Sequence, residues 1–235
     1  MHVRFRVPEM EGRTAHWYAR QRGTESQLRL VREQATQLTA LLPAPGAAVG
    51  AEHQKPAEGL TPGTEILEVA PGPGYLAVEL ARRGYAVTGL DISHSMVEIA
   101  TEHARRAGVA VAFQHGDVTR MPFEAHRFDL VVCQAAFKNF VDPVRALDEM
   151  HRVLRPGGMA VIQDLNRGAT RAEIAAEVRR MQLAPVSAAV TRFTLGWLRR
   201  RAYTPAAFRA LAEQSAFRGA EVRPEGIGLE VRLRA

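Results

Sequence analysis

Chemistry is concentrated in a few residues, Glu68, Gly72, Gly74, Asp91 and Asp117, and in their spacing. The two glycines alternate with prolines in Pro71-Gly72-Pro73-Gly74, a run that cannot extend a strand ladder and favours a sharp turn. A glycine turn between strand and helix brings backbone N–H groups close to a ligand at the helix start. Asp91 follows Gly72 by 19 positions, the distance at which an acid in a nucleotide-binding α/β unit accepts hydrogen bonds from a ribose diol. Two ligand classes fit this set. Gly72-Pro73-Gly74-Tyr75-Leu76-Ala77 matches G-x-G-x-x-G/A and suits a dinucleotide. Glu68 argues for another ligand, since an acid there faces a diphosphate unfavourably but serves a cationic amine.

The elements that must hold these residues follow from the apolar pattern. Ile66, Leu67 and Val69 form a short run typical of a buried parallel strand. Residues 75–83 read as a helix closed by Gly84, with two arginines in the last turn. Residues 85–90 predict a second strand that ends at Asp91. Ser93 caps the next helix, with Met96, Val97 and Ala100 on its inner face. A third strand is expected over 109–114, just before Gly116-Asp117, and a fourth over 128–134. A helix and the run Arg152-Val153-Leu154-Arg155-Pro156-Gly157-Gly158 follow, then a fifth strand over 159–165.

In that order, Glu68–Gly74, Asp91, Gly116-Asp117, Phe128-Asp129 and the RVLRPGG run resemble class I S-adenosylmethionine-dependent methyltransferases. The match is to the small-molecule group of the ubiquinone/menaquinone-biosynthesis type, also called methyltransferase type 11, and covers roughly residues 64–165. The resemblance implies an α/β fold: a Rossmann-like, mostly parallel seven-stranded sheet with helices on both faces, an antiparallel C-terminal strand and a helical lid. It implies S-adenosyl-L-methionine as cofactor. Gly72 and Gly74 would pass beneath its methionine part, with Ala70 and Tyr75 flanking the turn. Glu68 would serve the ammonium group, Asp91 the ribose hydroxyls, and Ile92 and Met96 the adenine side. Gly116, Asp117 and Val118 would lie beside the adenine, and Gln134 and Ala135 near the methionyl end. One departure stands out: relatives usually carry glycine where this chain has Ala70, whose methyl still allows close approach but leaves a positive φ in question.

Methyl transfer from a sulfonium is an in-line displacement, and alignment alone is worth up to roughly 7–11 kcal/mol. A conspicuous catalytic residue is therefore not required. A base matters only where the acceptor must lose a proton. Lys138 is the candidate base, because burial and a neighbouring sulfonium both disfavour its charged form; equally, it could hold an acidic substrate group or pair with a carboxylate. Lys138-Asn139 stands where relatives often carry histidine. His16 is a second catalytic candidate, next to Trp17 and Tyr18, which are expected to contact substrate. Phe193 and Trp197 are expected to do the same from an insertion. No histidine spacing fits a metal.

The rest of the chain is expected to serve this core. Residues 1–42 predict a helical lid, with Thr24 and Gln27 resembling a capping box. Residues 43–63 read as a flexible loop and 64–235 as the cofactor-binding domain, with 166–203 a helical substrate cap. Thr204-Pro205 starts a further helix, and residues 216–222 and 228–233 predict an antiparallel finish. In 235 residues there is no membrane-span-length apolar run and no secretion signal, and Cys133 is the only cysteine, so the cytoplasm is the expected compartment.

The net charge of +6 arises with 29 arginines and two lysines. Arg192 and Arg199-Arg200-Arg201, interleaved with Phe193 and Trp197, keep an RNA or protein methyltransferase in view, although arginines spread over solvated helices are the simpler account and nucleic acid is disfavoured as partner. A cyclase-like or regulatory protein that binds the cofactor without methyl transfer is a second alternative, and a nicotinamide dehydrogenase the weakest. The favoured partner is a compact, flat or apolar acceptor; no membrane partner is expected, and a homodimer stays open.

Overall fold

The computed structural model describes residues 10–42 and 63–235. The first nine residues of the expected lid, and the expected 43–63 loop apart from Gly63, lie outside them. The chain begins with α1 (Gly12–Arg22) and α2 (Glu25–Thr39), followed by β1 (Glu65–Val69), α3 (Tyr75–Arg82), β2 (Ala86–Asp91), α4 (His94–Ala107) and β3 (Ala112–His115). Next come β4 (Phe128–Gln134), α5 (Pro143–Val153), β5 (Leu154–Leu165), α6 (Arg171–Arg180), α7 (Pro185–Arg199), α8 (Pro205–Gln214), β6 (Glu221–Glu225) and β7 (Gly228–Arg234).

The strands form one sheet in the order β3-β2-β1-β4-β5-β7-β6, parallel except at β7, which runs antiparallel to both β5 and β6. The order reverses between β1 and β4, so a crevice opens outside their carboxyl ends. One face of the sheet packs Leu67, Val69 and Val131 against Leu147 and Met150 of α5 and Phe208 and Ala212 of α8. The other packs Ile66, Leu130 and Val132 against Leu76 and Leu80 of α3 and Val31, Ala35 and Leu38 of α2. Both faces of the central strands are apolar, as covered parallel strands require. Cys133 is buried among them, and burial pushes its thiol up.

The local rules place the ends. Ser93 Oγ accepts from Met96 N at 3.0 Å, and Thr204 Oγ1 accepts from Ala207 N at 3.2 Å, both as N-caps. The expected capping box at Thr24 does not form: Thr24 Oγ1 meets Ser26 Oγ, and Gln27 accepts from Arg22 instead. The third strand starts later than expected, at Ala112, because Val109 N donates to Ala104 O and completes the end of α4 beyond the left-handed Gly108. Residues 216–220 are likewise not strand. Ala216 N donates to Asp148 Oδ1, Arg218 has φ +57°, and the paired edge strand starts only at Glu221. No helix among the described residues is long and apolar enough to cross a membrane.

Candidate functional site

The carboxyl ends of β1, β2 and β4 converge on the Pro71–Gly74 turn. Ala70 N donates to Leu90 O at 2.8 Å and Gly116 N to Asp91 O at 2.9 Å, so the expected residues from 68 to 74, at 91 and at 116–117 share one sheet edge. Gly74 has φ +75°, and a Cβ there would stand 2.7 Å from Phe113 Cζ and 2.8 Å from Ala100 Cβ. Only glycine fits. Pro73 O is bound by His103 Nδ1 at 2.8 Å, and the His103 ring stacks on Tyr75 at 4.8 Å. The turn is thus fixed from below by α4.

Two acids hold its upper side. Asp91 is 7% exposed; Oδ2 accepts from Gly72 N and Oδ1 from Ser93 N, each at 3.0 Å. Burial raises its pKa against those amide bonds. Glu68 is 3% exposed and lies near the Ala77 N–H, an N-terminal amide of α3 whose partial charge works against burial in setting its pKa. Its Oε2 is buried and has no hydrogen-bond partner. Burial, and then the charge of Asp91, push the Glu68 carboxyl up to about 8. A carboxylate oxygen that is buried without a donor is costly, and a bound cation would relieve it. The pocket therefore fits a ligand with a positive amine or sulfonium better than it fits a diphosphate.

Backbone strain marks the same edge. Ala70 has φ +54° and Ala135 φ +53°, each directly after the end of a central strand. The question left by the alanine is answered: Ala70 adopts the left-handed conformation at a cost of roughly 1–2 kcal/mol. Strained non-glycine residues of this kind gather where backbone must approach a ligand.

The other expected site residues divide. Ile92 is exposed at the end of β2, and Met96 is buried beneath it in α4. Val118 is half-buried and Asp117 exposed; Asp117 Oδ1 accepts from Thr119 N at 2.8 Å and Thr119 Oγ1 at 2.9 Å, capping a short 3-10 turn. Gln134 donates from Nε2 to Gln163 Oε1. Ala135 donates its N–H to Gln163 O at 2.7 Å and accepts from Lys138 Nζ, so its backbone groups are engaged internally. Tyr18 lies over the turn, its Cε1 3.9 Å from where a Gly72 Cβ would be.

Lys138 takes the carboxylate-pairing alternative. It is 4% exposed, with Nζ 2.9 Å from Asp164 Oδ1 and its backbone N 2.8 Å from Asp164 Oδ2. An ammonium shared between a carboxylate and the Ala135 carbonyl holds the β4 turn against β5 and is poorly placed to act as a base. Asn139 sits half-buried in the same turn. His16 and Trp17 are exposed, on the side of α1 away from Ala15 and Ala19, which pack on α4. Phe193 and Trp197 are 77% and 51% exposed on α7, which packs on α6. The His94 and His115 rings stack at 3.6 Å beside Ile92, whose carbonyl meets His115 Nε2 at 3.0 Å.

Sequence reasoning missed two residues. Asp164 could have been found as an acid closing the apolar run of β5. Glu11 carried no comparable signal: its carboxylate accepts from His94 N, Ser95 N and Ser95 Oγ, joining the start of α1 to the start of α4.

Comparison with known proteins agrees with this geometry. The family profile described as a methyltransferase domain matches residues 67–162. The chain is 34% identical over 122 residues to a ubiquinone biosynthesis O-methyltransferase of Psychrobacter arcticus, covering 51% of this chain and 48% of that one. It is 37% identical over 99 residues to a demethylmenaquinone methyltransferase of Deinococcus radiodurans, 41% of each chain. The chain thus spans about half the length, or less, of these curated relatives. A methyltransferase structure from Aquifex aeolicus superposes with a TM-score of 0.64 at 16% identity, over 93% of this chain and 97% of that one, which establishes a common fold. Residues 67–162 thus match the methyltransferase-domain family, and the chain around them has the fold of an S-adenosylmethionine-dependent methyltransferase structure.

Proposed function

We propose that the protein transfers a methyl group from S-adenosylmethionine to an oxygen, nitrogen or carbon nucleophile on a small molecule. The observation that carries this reading is the buried, donor-less Oε2 of Glu68, beside Asp91 and at the mouth of the Gly72–Gly74 turn. S-Adenosylmethionine, when bound, supplies an electrophilic methyl on a sulfonium and a cationic ammonium.

The chain's own residues bind and orient. Glu68 accepts from the ammonium, directly or through water. Asp91 keeps the Gly72 amide fixed and offers its remaining lone pairs to the ribose hydroxyls. Ile92 and Val118 flank the adenine, and Asp117 receives its amino group. Gln134 and the carbonyl of Ala135 border the methionyl end, with Lys138 and Asp164 acting as positioning residues behind them. Tyr18 covers the turn and excludes water. Alignment of acceptor and methyl supplies most of the acceleration, and neither Lys138 nor His16 is needed as a base.

In this reading α1 and α2 are a lid and residues 166–203 a cap on the acceptor side. The acceptor is a flat, hydroxylated aromatic, a class supported by Tyr18 over the turn and by the quinone-pathway names of the relatives. Calorimetric titration with S-adenosylmethionine and S-adenosylhomocysteine, followed by labelled methyl transfer to a panel of phenolic acceptors, tests it. Binding of neither cofactor form at millimolar concentration sinks the reading; tighter binding of NAD would do the same.

A further inference from the structure

We propose that α7 and the arginines around it form a docking face for an anionic lipid–water interface. Val186, Val190, Phe193 and Trp197 are spaced by four, three and four residues. At 3.6 residues per turn they fall within an arc of about 60°. They are 77%, 59%, 77% and 51% exposed, and no residue of α7 is buried. Pro185, Ala188, Ala189 and Arg192 occupy the neighbouring face, toward a cleft of about 400 Å³ against α6. The stripe therefore lies off the face that α7 turns to α6. Met181 and Leu183, also exposed, extend the patch toward α6. A contiguous apolar surface of this kind marks an interaction site.

The charge says which kind. Residues 166–203 contain eight arginines and two glutamates, +6, equal to the formal net charge of the whole chain. The remainder of the protein is balanced, and the excursion carries all of the excess. The Arg201 guanidinium lies 6.0 Å from the Trp197 ring, so charge borders the apolar stripe directly. A helix with a cationic border and a Val/Phe/Trp stripe lies in the plane of a membrane surface, with tryptophan at head-group level. A second copy of the chain would set +6 against +6. Single-stranded nucleic acid would use Phe193 and Trp197 for stacking but has no use for Val186 and Val190. An anionic bilayer uses every part of the face.

The excursion leaves the sheet at Leu165 and returns through the Asn166–Tyr203 bridge, where Arg167 N donates to Tyr203 O at 3.0 Å. It thus stands on the same sheet edge as Glu68 and Asp91. A protein docked by α7 would hold that edge near the bilayer, where an apolar acceptor is concentrated.

The test reads binding alone and is independent of methyl transfer. The full chain carrying Trp17→Phe leaves Trp197 as the sole tryptophan. With vesicles of mixed phosphatidylglycerol and phosphatidylcholine at low salt, its emission should shift to the blue and the protein should co-sediment; pure phosphatidylcholine should hold it far less. The pair Val190→Asp and Phe193→Asp should weaken binding by more than about tenfold. Arg200→Gln or Arg201→Gln should each weaken it by about fivefold. Helical content by circular dichroism should stay unchanged, as these are solvent-facing positions. The proposal is overturned by absence of binding to anionic vesicles at low salt, or by equal binding of the Val190/Phe193 pair. A dimer in sedimentation velocity that the pair dissolves would assign the stripe to a second copy and likewise overturn it, as would tighter, pair-insensitive binding to an RNA oligonucleotide.

Discussion

The two ends of the parallel strands are built differently. At the amino ends, every charge is answered by protein. Glu65 pairs with Arg127 at 3.2 Å and Arg155 at 3.3 Å, Arg155 pairs with Asp129 at 2.5 Å, and Asp129 Oδ2 also accepts from Glu65 N at 2.8 Å. At the carboxyl ends, Glu68 keeps an oxygen with no donor, Asp91 is raised by burial, and two alanines stand in left-handed backbone. The first edge is closed by its own ion pairs, and the second keeps a buried acceptor unanswered. The RVLRPGG run shows the same division: Arg152 binds Glu149 and the carbonyls of Met121 and Phe123, and Arg155 binds Asp129 and Glu65, so a motif that signals the family builds the amino edge and leaves the ligand to others.

The sharpest way to break this contrast is Glu68→Gln. Loss of a charge-assisted hydrogen bond should weaken S-adenosylmethionine binding by about 10- to 100-fold in calorimetry. The same change should stabilise the free protein at pH 8 by about 1–2 kcal/mol, since an uncompensated buried charge is removed. An edge as self-sufficient as the opposite one would show neither effect.

The pH dependence follows from the same group. With its carboxyl pushed from an ordinary 4.5 to about 8, folded Glu68 holds a proton that the unfolded chain has released. Between those values the native state binds more protons, so Glu68 makes the free protein progressively less stable as pH rises from about 4.5 to about 8, and the full penalty stays in place above that. A cationic ligand reverses this by favouring the carboxylate. Its affinity should rise with pH by up to about tenfold per unit, levelling as its own amine titrates near 8. Titration at pH 7 in buffers of different ionisation enthalpy should therefore report proton release; proton uptake would refute the assignment of Glu68.

On the opposite edge, Arg155→Ala should cost about 1–2 kcal/mol in denaturant unfolding, a modest figure because the guanidinium is partly exposed. Cofactor affinity should stay within about twofold, since the two edges share no partner. Smallest of all, Ala70→Gly should gain about 0.5–1 kcal/mol, relief of left-handed strain outweighing the added chain entropy. A loss of stability on that change would mean that the alanine methyl packs usefully where it stands.

The contrast also explains what could be read from the sequence. Strand β4 was legible to the residue, because its apolar run is bounded by Arg127 and by the turn at Ala135. Gly72, Gly74 and Asp91 were legible because a left-handed turn and a strand-end acid have fixed spacing. The partner of Lys138 was not, since Asp164 lies 26 residues away and only strand register brings it close. Nor could periodicity tell that α7 turns its stripe outward, for an apolar face looks the same whether it is covered or bare. The start of β3 slipped because Val109 continues a helix end, a competition that β-propensity does not register.

Tyr75 donates its hydroxyl to Ala19 O at 3.1 Å, while Tyr18, one residue earlier in α1, rests on Gly72. The second half of the first helix is in this way pinned to the glycine elbow, so α1 could move off the turn only by breaking the Tyr75–Ala19 bond and uncovering Gly72, and two segments more than fifty residues apart in sequence would have to part together.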